Sequence, residues 1–101
     1  MLSLDRELKV ALRTGSIVLG SKKVLSHLGV GKGKLVIMAS NCPELVREKV
    51  EYYAKLSGIP IYHAPYTSRE LGEICQRGHV VATLLILDEG SSEILKVLES
   101  G

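Results

Sequence analysis

Two short apolar runs limit most strongly how this chain can fold. They are Leu35–Ala39 and Val80–Leu87, and only Thr83 interrupts the second one. A strand with both faces covered carries apolar residues at consecutive positions, whereas a half-exposed strand alternates apolar and polar residues. We therefore predict that both runs are buried strands and that helices cover the sheet on both sides.

Helical spacings and shorter extended segments alternate around these runs. The predicted order begins and ends with a helix and alternates five helices with four strands, which is typical of α/β layering. Helices after the second and third strands permit parallel crossovers. The residues that define the other elements are Leu4, Leu8, Ala11 and Leu12 (first helix), Ile17–Leu19 (first strand), Val24, Leu25 and Leu28 (second helix), Val46, Val50, Tyr53 and Ala54 (third helix), Ile59–Tyr62 (third strand), Leu71 and Ile74 (fourth helix), and Ile94, Leu95 and Leu98 (last helix).

Several residues mark where these elements begin and end. Pro43 suits the first position of the longest helix, because the N–H group that proline lacks has no helical partner there. Gly58 is expected to end that helix, and Pro60 indicates an edge strand or the start of a strand. Thr67-Ser-Arg-Glu70 matches a capping box at the start of a short helix.

The length of 101 residues suits one domain with one core, and no repeat or linker divides the chain. We predict a single domain over residues 1–101, with four strands in one sheet. No apolar run reaches membrane-spanning length, and acidic residues stand near the N-terminus where a signal peptide is basic and apolar. The expected location is the cytoplasm.

The sequence contains no recognisable catalytic or metal-binding set. His27, His63 and His79 are scattered, and none is spaced from Cys42 or Cys75 as in a metal site. The segment 29–34 is rich in glycine and lysine, but it precedes a strand and lacks the Ser or Thr of a phosphate loop. We expect reduced thiols, no enzyme activity, no metal and no cofactor.

Three polar breaks between predicted elements are the candidate binding residues. Gly20-Ser21-Lys22-Lys23 opens a helix, where free N–H groups and lysines suit phosphate oxygens; a solvated basic turn is the alternative. Asn41 is either a plain cap or a hydrogen-bonding group for base edges. The third break, Gln76-Arg77-Gly78-His79, leads into Val80 and Val81, one of which could pack on an unstacked base; an ordinary polar loop is the alternative.

The net charge of +2 is too small to indicate a nucleic-acid partner, so the argument depends on where these breaks lie. The breaks follow the first and second strands and precede the fourth. They lie at one end of the sheet only if the fourth strand runs antiparallel to the first two. The hypothesis of RNA binding therefore makes a geometric prediction.

The same positions carry a resemblance to a known family. Thr14–Lys22, Lys34–Asn41, Glu51–Ser57 and Glu70–Gly72 resemble motifs of the L30e family, a family of archaeal and eukaryotic large-subunit ribosomal proteins. That family is similar to the wider kink-turn-binding superfamily that includes L7Ae. The resemblance implies a three-layer α/β/α sandwich around a four-stranded mixed sheet.

The resemblance also implies a function and a binding site. Gly20, Ser21, Lys22 and Asn41 would contact kinked RNA, and the loop Arg77–Val81, which includes Gly78, His79 and Val80, would complete the site with an apolar residue against an extruded base. Lys23 and Lys32 are expected near phosphates because of their charge. The resemblance implies that this protein is a structural constituent of the large ribosomal subunit, of archaeal type. It would bind rRNA at a kink-turn or a similar bent loop.

Two alternatives stay open. A sibling of the superfamily would bind a guide, ribonuclease or regulatory RNA instead of rRNA. A small enzyme or ligand-binding protein would need a pocket of convergent polar groups, and the sequence shows no such set. For the ribosomal function, the expected partners are rRNA and neighbouring large-subunit proteins, with no membrane contact and a monomeric state off the ribosome.

Overall fold

A computed structural model of the protein describes residues 3–96. The strands and helices follow the predicted order, from a first helix at Leu4 to a short 3₁₀ turn that ends at Lys96. Their bounds are α1 Leu4–Thr14, β1 Ser16–Leu19, α2 Ser21–Gly29, β2 Leu35–Met38, α3 Glu44–Ser57, β3 Ile61–His63, α4 Ser68–Ile74, β4 Thr83–Asp88 and the 3₁₀ turn Ile94–Lys96.

The four strands form one mixed sheet in the order β1-β4-β2-β3. β2 and β3 are parallel, so the crossover predicted through α3 is confirmed. β4 lies between β1 and β2 and is antiparallel to both. The chain from β3 to β4 is therefore not the second parallel crossover that the sequence permitted. At about 1.5 Å per residue, the seven residues of α4 span only about 10 Å, and the chain enters β4 at the end of the sheet where β3 finishes.

Both faces of the two central strands are buried, as their unbroken apolar runs predict. Leu35, Ile37, Leu84 and Ile86 face a core that α1, α4 and the 3₁₀ turn cover. On the opposite face, Val36, Met38 and Leu85 pack with residues of α2 and α3, namely Val24, Leu28, Val50 and Ala54. The predicted α/β/α sandwich around a four-stranded mixed sheet is confirmed.

The predicted ends of the elements are mostly confirmed. Gly58 ends α3 in the left-handed conformation with φ of 69°. The capping box is present, since the Thr67 hydroxyl accepts from the Glu70 N–H while the Glu70 carboxylate accepts from the Thr67 N–H. β3, which follows Pro60, is an edge strand.

Five details differ from the predictions, and the first is that β3 begins at Ile61, two residues later than predicted. Pro43 is the residue before α3, with ψ of 140°, and not its first helical residue. Tyr53 is 40% exposed, because the buried stripe of α3 is formed by Val50 and Ala54. β4 begins at Thr83, so the predicted strand starts three residues too early. The described part of the last helix is a 3₁₀ turn, and Leu98 lies outside the described residues.

Candidate nucleic-acid interface

The antiparallel direction of β4 brings the three predicted breaks to one end of the sheet. The Gly20 N–H donates to the Thr83 carbonyl at 3.1 Å, and the Ala39 N–H donates to the Ala82 carbonyl at 2.9 Å. The beginning of β4 therefore lies between the chain segments that leave β1 and β2. The geometric prediction is confirmed, and we call these three segments, 20–23, 41 and 77–81, the turn cluster.

The first segment forms an uncapped helix N-terminus. Gly20 precedes α2 with φ of +99°, a backbone conformation that residues other than glycine rarely adopt. No side chain caps this helix, and its first turn contains no acidic residue. The first amides of an α-helix have no acceptor within the helix and carry partial positive charge, so this end of α2 suits an anion.

Within residues 3–96, and apart from Gly20 and its two chain neighbours, no atom lies within 4 Å of the place where a Cβ on Gly20 would stand. The glycine is therefore required for its backbone conformation and not for internal packing. The same open space lets an external ligand approach the backbone.

A hydroxyl pair holds the start of α2 against β4. Ser21 Oγ and Thr83 Oγ1 are 3.1 Å apart, and Thr83 is fully buried. Thr83 is a functional neighbour that the sequence analysis identified only as the polar interruption of an apolar run. Its hydroxyl explains that interruption, because a buried hydroxyl requires a hydrogen-bonding partner.

The two lysines of the first segment lie on different sides of α2. Lys22 lines a groove of about 800 Å³ between α2 and α3, together with Tyr52 and Tyr53. Lys23 lines a separate groove beside β1, which also involves Arg77. Both lysines are exposed, so together they place positive charge on two sides of the uncapped helix end.

Asn41 is exposed and does not cap the helix that follows it. Its Oδ1 atom accepts from the Ser68 N–H at 2.7 Å, so it links the end of β2 to the first turn of α4. α3 has no side-chain cap. Because the oxygen faces Ser68, the Asn41 amide nitrogen is the remaining donor, and it has no hydrogen bond to residues 3–96. Ser68 is a supporting residue that the sequence analysis did not identify.

The third segment is a loop that packs on α4. The Arg77 N–H donates to the Gly72 carbonyl at 2.8 Å, and the Val81 N–H donates to the Ser68 carbonyl at 2.9 Å. Gly72 lies directly under the loop, since a Cβ there would meet the His79 carbonyl oxygen. The loop therefore depends on a helical glycine that the sequence analysis used only for the family resemblance.

The two valines of this loop have different environments. Val80 is 61% exposed, whereas Val81 is 1% exposed and belongs to the core shared by α1 and α4. The Val81 side chain consequently faces the core, and of the two valines only Val80 presents apolar surface to a ligand. Arg77, Gly78 and His79 are exposed.

Both cysteines are free, as predicted, and burial raises the pKa of each thiol. The pKa of Cys75 rises to about 11, and the pKa of Cys42, next to Asn41, is also raised. A thiol must lose its proton to act as a nucleophile or a metal ligand. Within residues 3–96, no group of three or more His, Cys, Asp or Glu side chains is arranged to hold a metal ion.

Comparison with known proteins identifies the family. The sequence model of the ribosomal protein L7Ae/L30e/S12e/Gadd45 family matches residues 3–96. The chain belongs to this family. Among its relatives, a protein of Methanothermobacter thermautotrophicus named large ribosomal subunit protein eL30 is 50% identical, with 96% of this chain and 99% of the relative covered.

A second relative agrees with this assignment, and a solved structure shares the fold. A protein of Methanopyrus kandleri with the same name is 44% identical, with 100% of this chain and 96% of the relative covered. A solved structure from Bacillus halodurans, described as a protein with unknown function, is 21% identical and superposes with a TM-score of 0.83 over the full length of both chains. That structure supports the fold alone. Among residues 3–96, no helix combines the length and apolar character needed to cross a membrane.

Proposed function

We propose that this protein is a structural constituent of the large ribosomal subunit that binds rRNA at a kink-turn or a similar bent internal loop. The relatives at 44–50% identity carry the name of a large-subunit ribosomal protein and not of an enzyme. The observation that carries the proposal is the turn cluster, in which an uncapped helix end, an amide donor and an exposed valine meet at one end of the sheet.

Each part of the turn cluster has a role that follows from its chemistry. Gly20 and the first amides of α2 accommodate a phosphate, and Lys22 and Lys23 neutralise neighbouring phosphates. The amide nitrogen of Asn41 donates to a base edge. Val80 packs against an extruded base, since bent RNA loops expose unstacked bases to apolar side chains.

The remaining residues of the cluster support or extend this contact. The Ser21 hydroxyl holds α2 in place through Thr83. Arg77 and His79 supply donors for phosphates, and Gly78 allows close approach, since no atom of residues 3–96 lies within 4 Å of its Cβ position. We assign Val81 to the core, where it positions Val80.

The proposal extends to the location and partners of the protein. It is a single RNA-binding domain of the cytoplasmic ribosome, monomeric when free and adjacent to other large-subunit proteins when assembled. Exposed apolar side chains on α3 and at the end of α2 fit coverage by such neighbours; they are Val30, Leu45, Tyr52, Tyr53 and Leu56. Sedimentation of the free protein tests the monomer, and a stable dimer would contradict it.

A gel-shift comparison tests the proposal directly. The protein is titrated into an RNA that contains a kink-turn and into a duplex of equal length without the internal loop. We expect much tighter binding to the kink-turn RNA, and affinity for it that falls as salt rises, because phosphate contacts release counterions. Equal affinity for the two RNAs would contradict the proposal.

A further inference from the structure

A second basic surface adjoins the turn cluster along the edge of the sheet. β1 is an edge strand, and its residues Ile17, Val18 and Leu19 line a groove of about 440 Å³. The other lining residues are Lys23, His27, Arg77 and His79. We call this the β1-edge groove. It contains four basic side chains and no acidic one among its described lining residues.

The basic surface continues beyond this groove. Arg77 also lines an adjoining groove of about 380 Å³, which contains Arg13 of α1 and Lys9, whose ammonium is paired with the Asp5 carboxylate at 3.2 Å. On its other side, His79 lies in a pocket with Arg69 and Glu73, where the Glu73 carboxylate is 3.7 Å from Arg69 Nε and is thus paired. A polyanion that leaves the turn cluster past Arg77 therefore meets further positive charge.

The two histidines of the β1-edge groove have the same tautomer. His27 Nδ1 lies 2.8 Å from the Lys23 carbonyl oxygen, and His79 Nδ1 lies 3.0 Å from the Val80 carbonyl oxygen. A carbonyl oxygen only accepts, so each Nδ1 carries the hydrogen. In a neutral imidazole the Nε2 atom is then an acceptor, and it becomes a donor only when the ring is protonated.

We propose that the β1-edge groove is a second contact for the same RNA and binds the phosphate backbone of the strand that flanks the bent loop. This inference rests on the proposed function and extends it. Lys23, Arg77 and His79 belong to both surfaces, so the groove continues the turn cluster without a gap. Its charge matches phosphate, and no described strand pairs with the outer side of β1, which leaves room for an RNA backbone there.

The histidines make this contact dependent on pH. Phosphate oxygens accept hydrogen bonds, so a phosphate contact at Nε2 of His27 or His79 requires the protonated ring. The charged groups facing these rings are Lys23, Arg77 and, around His79, the Arg69–Glu73 pair. A phosphate in the groove therefore binds more tightly to the protonated rings than to the neutral ones.

The experiment measures affinity at pH 6 and pH 8 for two RNAs that share one kink-turn, one with long flanking helices and one trimmed to the loop. For the long RNA, we expect the wild type to bind more tightly at pH 6, by about two- to fivefold per histidine. The variant His27→Gln, whose histidine lines the groove but lies outside the turn cluster, should lose part of this gain, and the trimmed RNA should show a smaller gain that His27→Gln does not change.

His63→Gln is the matched control, because His63 is an exposed histidine on β3, at the opposite edge of the sheet. It should keep the pH-dependent gain. An equal loss of the gain in His63→Gln, or an unchanged gain in His27→Gln, would overturn the groove proposal. A measurement at pH 8 separates failure of the groove proposal from failure of the proposed function. If the proposed function is wrong, the wild type binds the trimmed kink-turn RNA at pH 8 no better than a plain duplex.

Discussion

At the residue scale, Asn41 offers the sharpest separation between a structural role and a binding role. Its Oδ1 atom accepts from the Ser68 N–H, while its amide nitrogen is the donor that we assign to RNA. Asn41→Ala removes both functions. Asn41→Asp keeps an acceptor for Ser68, removes the donor and adds a negative charge that faces the RNA.

We therefore expect the two variants to rank in opposite orders in two measurements. In urea unfolding, Asn41→Ala should lose about 0.5–1.5 kcal/mol, the usual net value of one hydrogen bond, and Asn41→Asp should stay near the wild type. In RNA binding, Asn41→Asp should be the weaker variant, by roughly tenfold or more relative to wild type, which corresponds to about 1.4 kcal/mol. Wild-type RNA affinity in Asn41→Asp would exclude the amide from the site.

Some residues of the turn cluster could be predicted from the sequence, and others could not. Residue types alone predicted the glycine, lysines, asparagine and arginine of the turn cluster. They did not decide between Val80 and Val81, because successive residues near a strand point to opposite sides, and the choice depends on where the strand begins. Thr83 and Ser68 were missed as partners, since their contacts with Ser21 and Asn41 join segments far apart in sequence.

At the element scale, the sequence predicted the order of helices and strands but not the direction of β4. Local signals such as the capping box and the glycine after α3 depend on neighbouring residues, and both are confirmed. The direction of β4 depends on whether the helix before it carries the chain back along the length of the strands to the other end of the sheet. α4 is too short to cross it, and nothing in its local pattern shows on which side the chain returns.

Gly72 of α4 yields a prediction about how one element positions another. A glycine-to-alanine change inside a helix ordinarily stabilises by about 0.5–1 kcal/mol. Here the added Cβ would meet the His79 carbonyl oxygen, so the loop must move away from α4. Gly72→Ala should therefore lower the free energy of unfolding and also weaken RNA binding, because Arg77 and Val80 shift with the loop.

Gly29→Ala is the control for this change. Gly29 lies at the end of α2, and no atom of residues 3–96 stands within 4 Å of its Cβ position. This variant should keep wild-type stability or exceed it slightly, with unchanged RNA affinity. Thermal unfolding and the kink-turn gel shift measure both effects. A stabilised Gly72→Ala protein with normal RNA binding would show that the loop does not depend on this close approach.

At the scale of the whole molecule, the arrangement of charge carries more information than its sum. The net charge is only +2, yet four basic side chains that have no acidic partner within residues 3–96 line the β1-edge groove. Several acidic side chains are paired with basic ones elsewhere, as in Lys34–Glu89 and Arg47–Glu44. Composition therefore underestimates the attraction of one edge of the sheet for a polyanion.

The two cores of the sandwich share β2 and β4, which predicts that the whole molecule unfolds as one unit. Ile37 packs on the side of α1 and α4, while its neighbour Val36 packs on the side of α2 and α3. Ile37→Val should cost about 0.5–1.5 kcal/mol and Val36→Ala roughly 2 kcal/mol. Either change weakens a strand that both layers require, so both layers should lose stability together.

Native-state hydrogen exchange measures this coupling separately in the two layers. In each variant, the most protected amides of α1 and of α3 should lose the same free energy of opening, because a domain of this size opens globally as one cooperative unit. Asn41→Asp, which leaves both cores intact, serves as the control and should change neither helix. If Val36→Ala lowered protection only in α3 and Ile37→Val only in α1, the layers would be independent units, and the proposal of a single domain over residues 1–101 would fail.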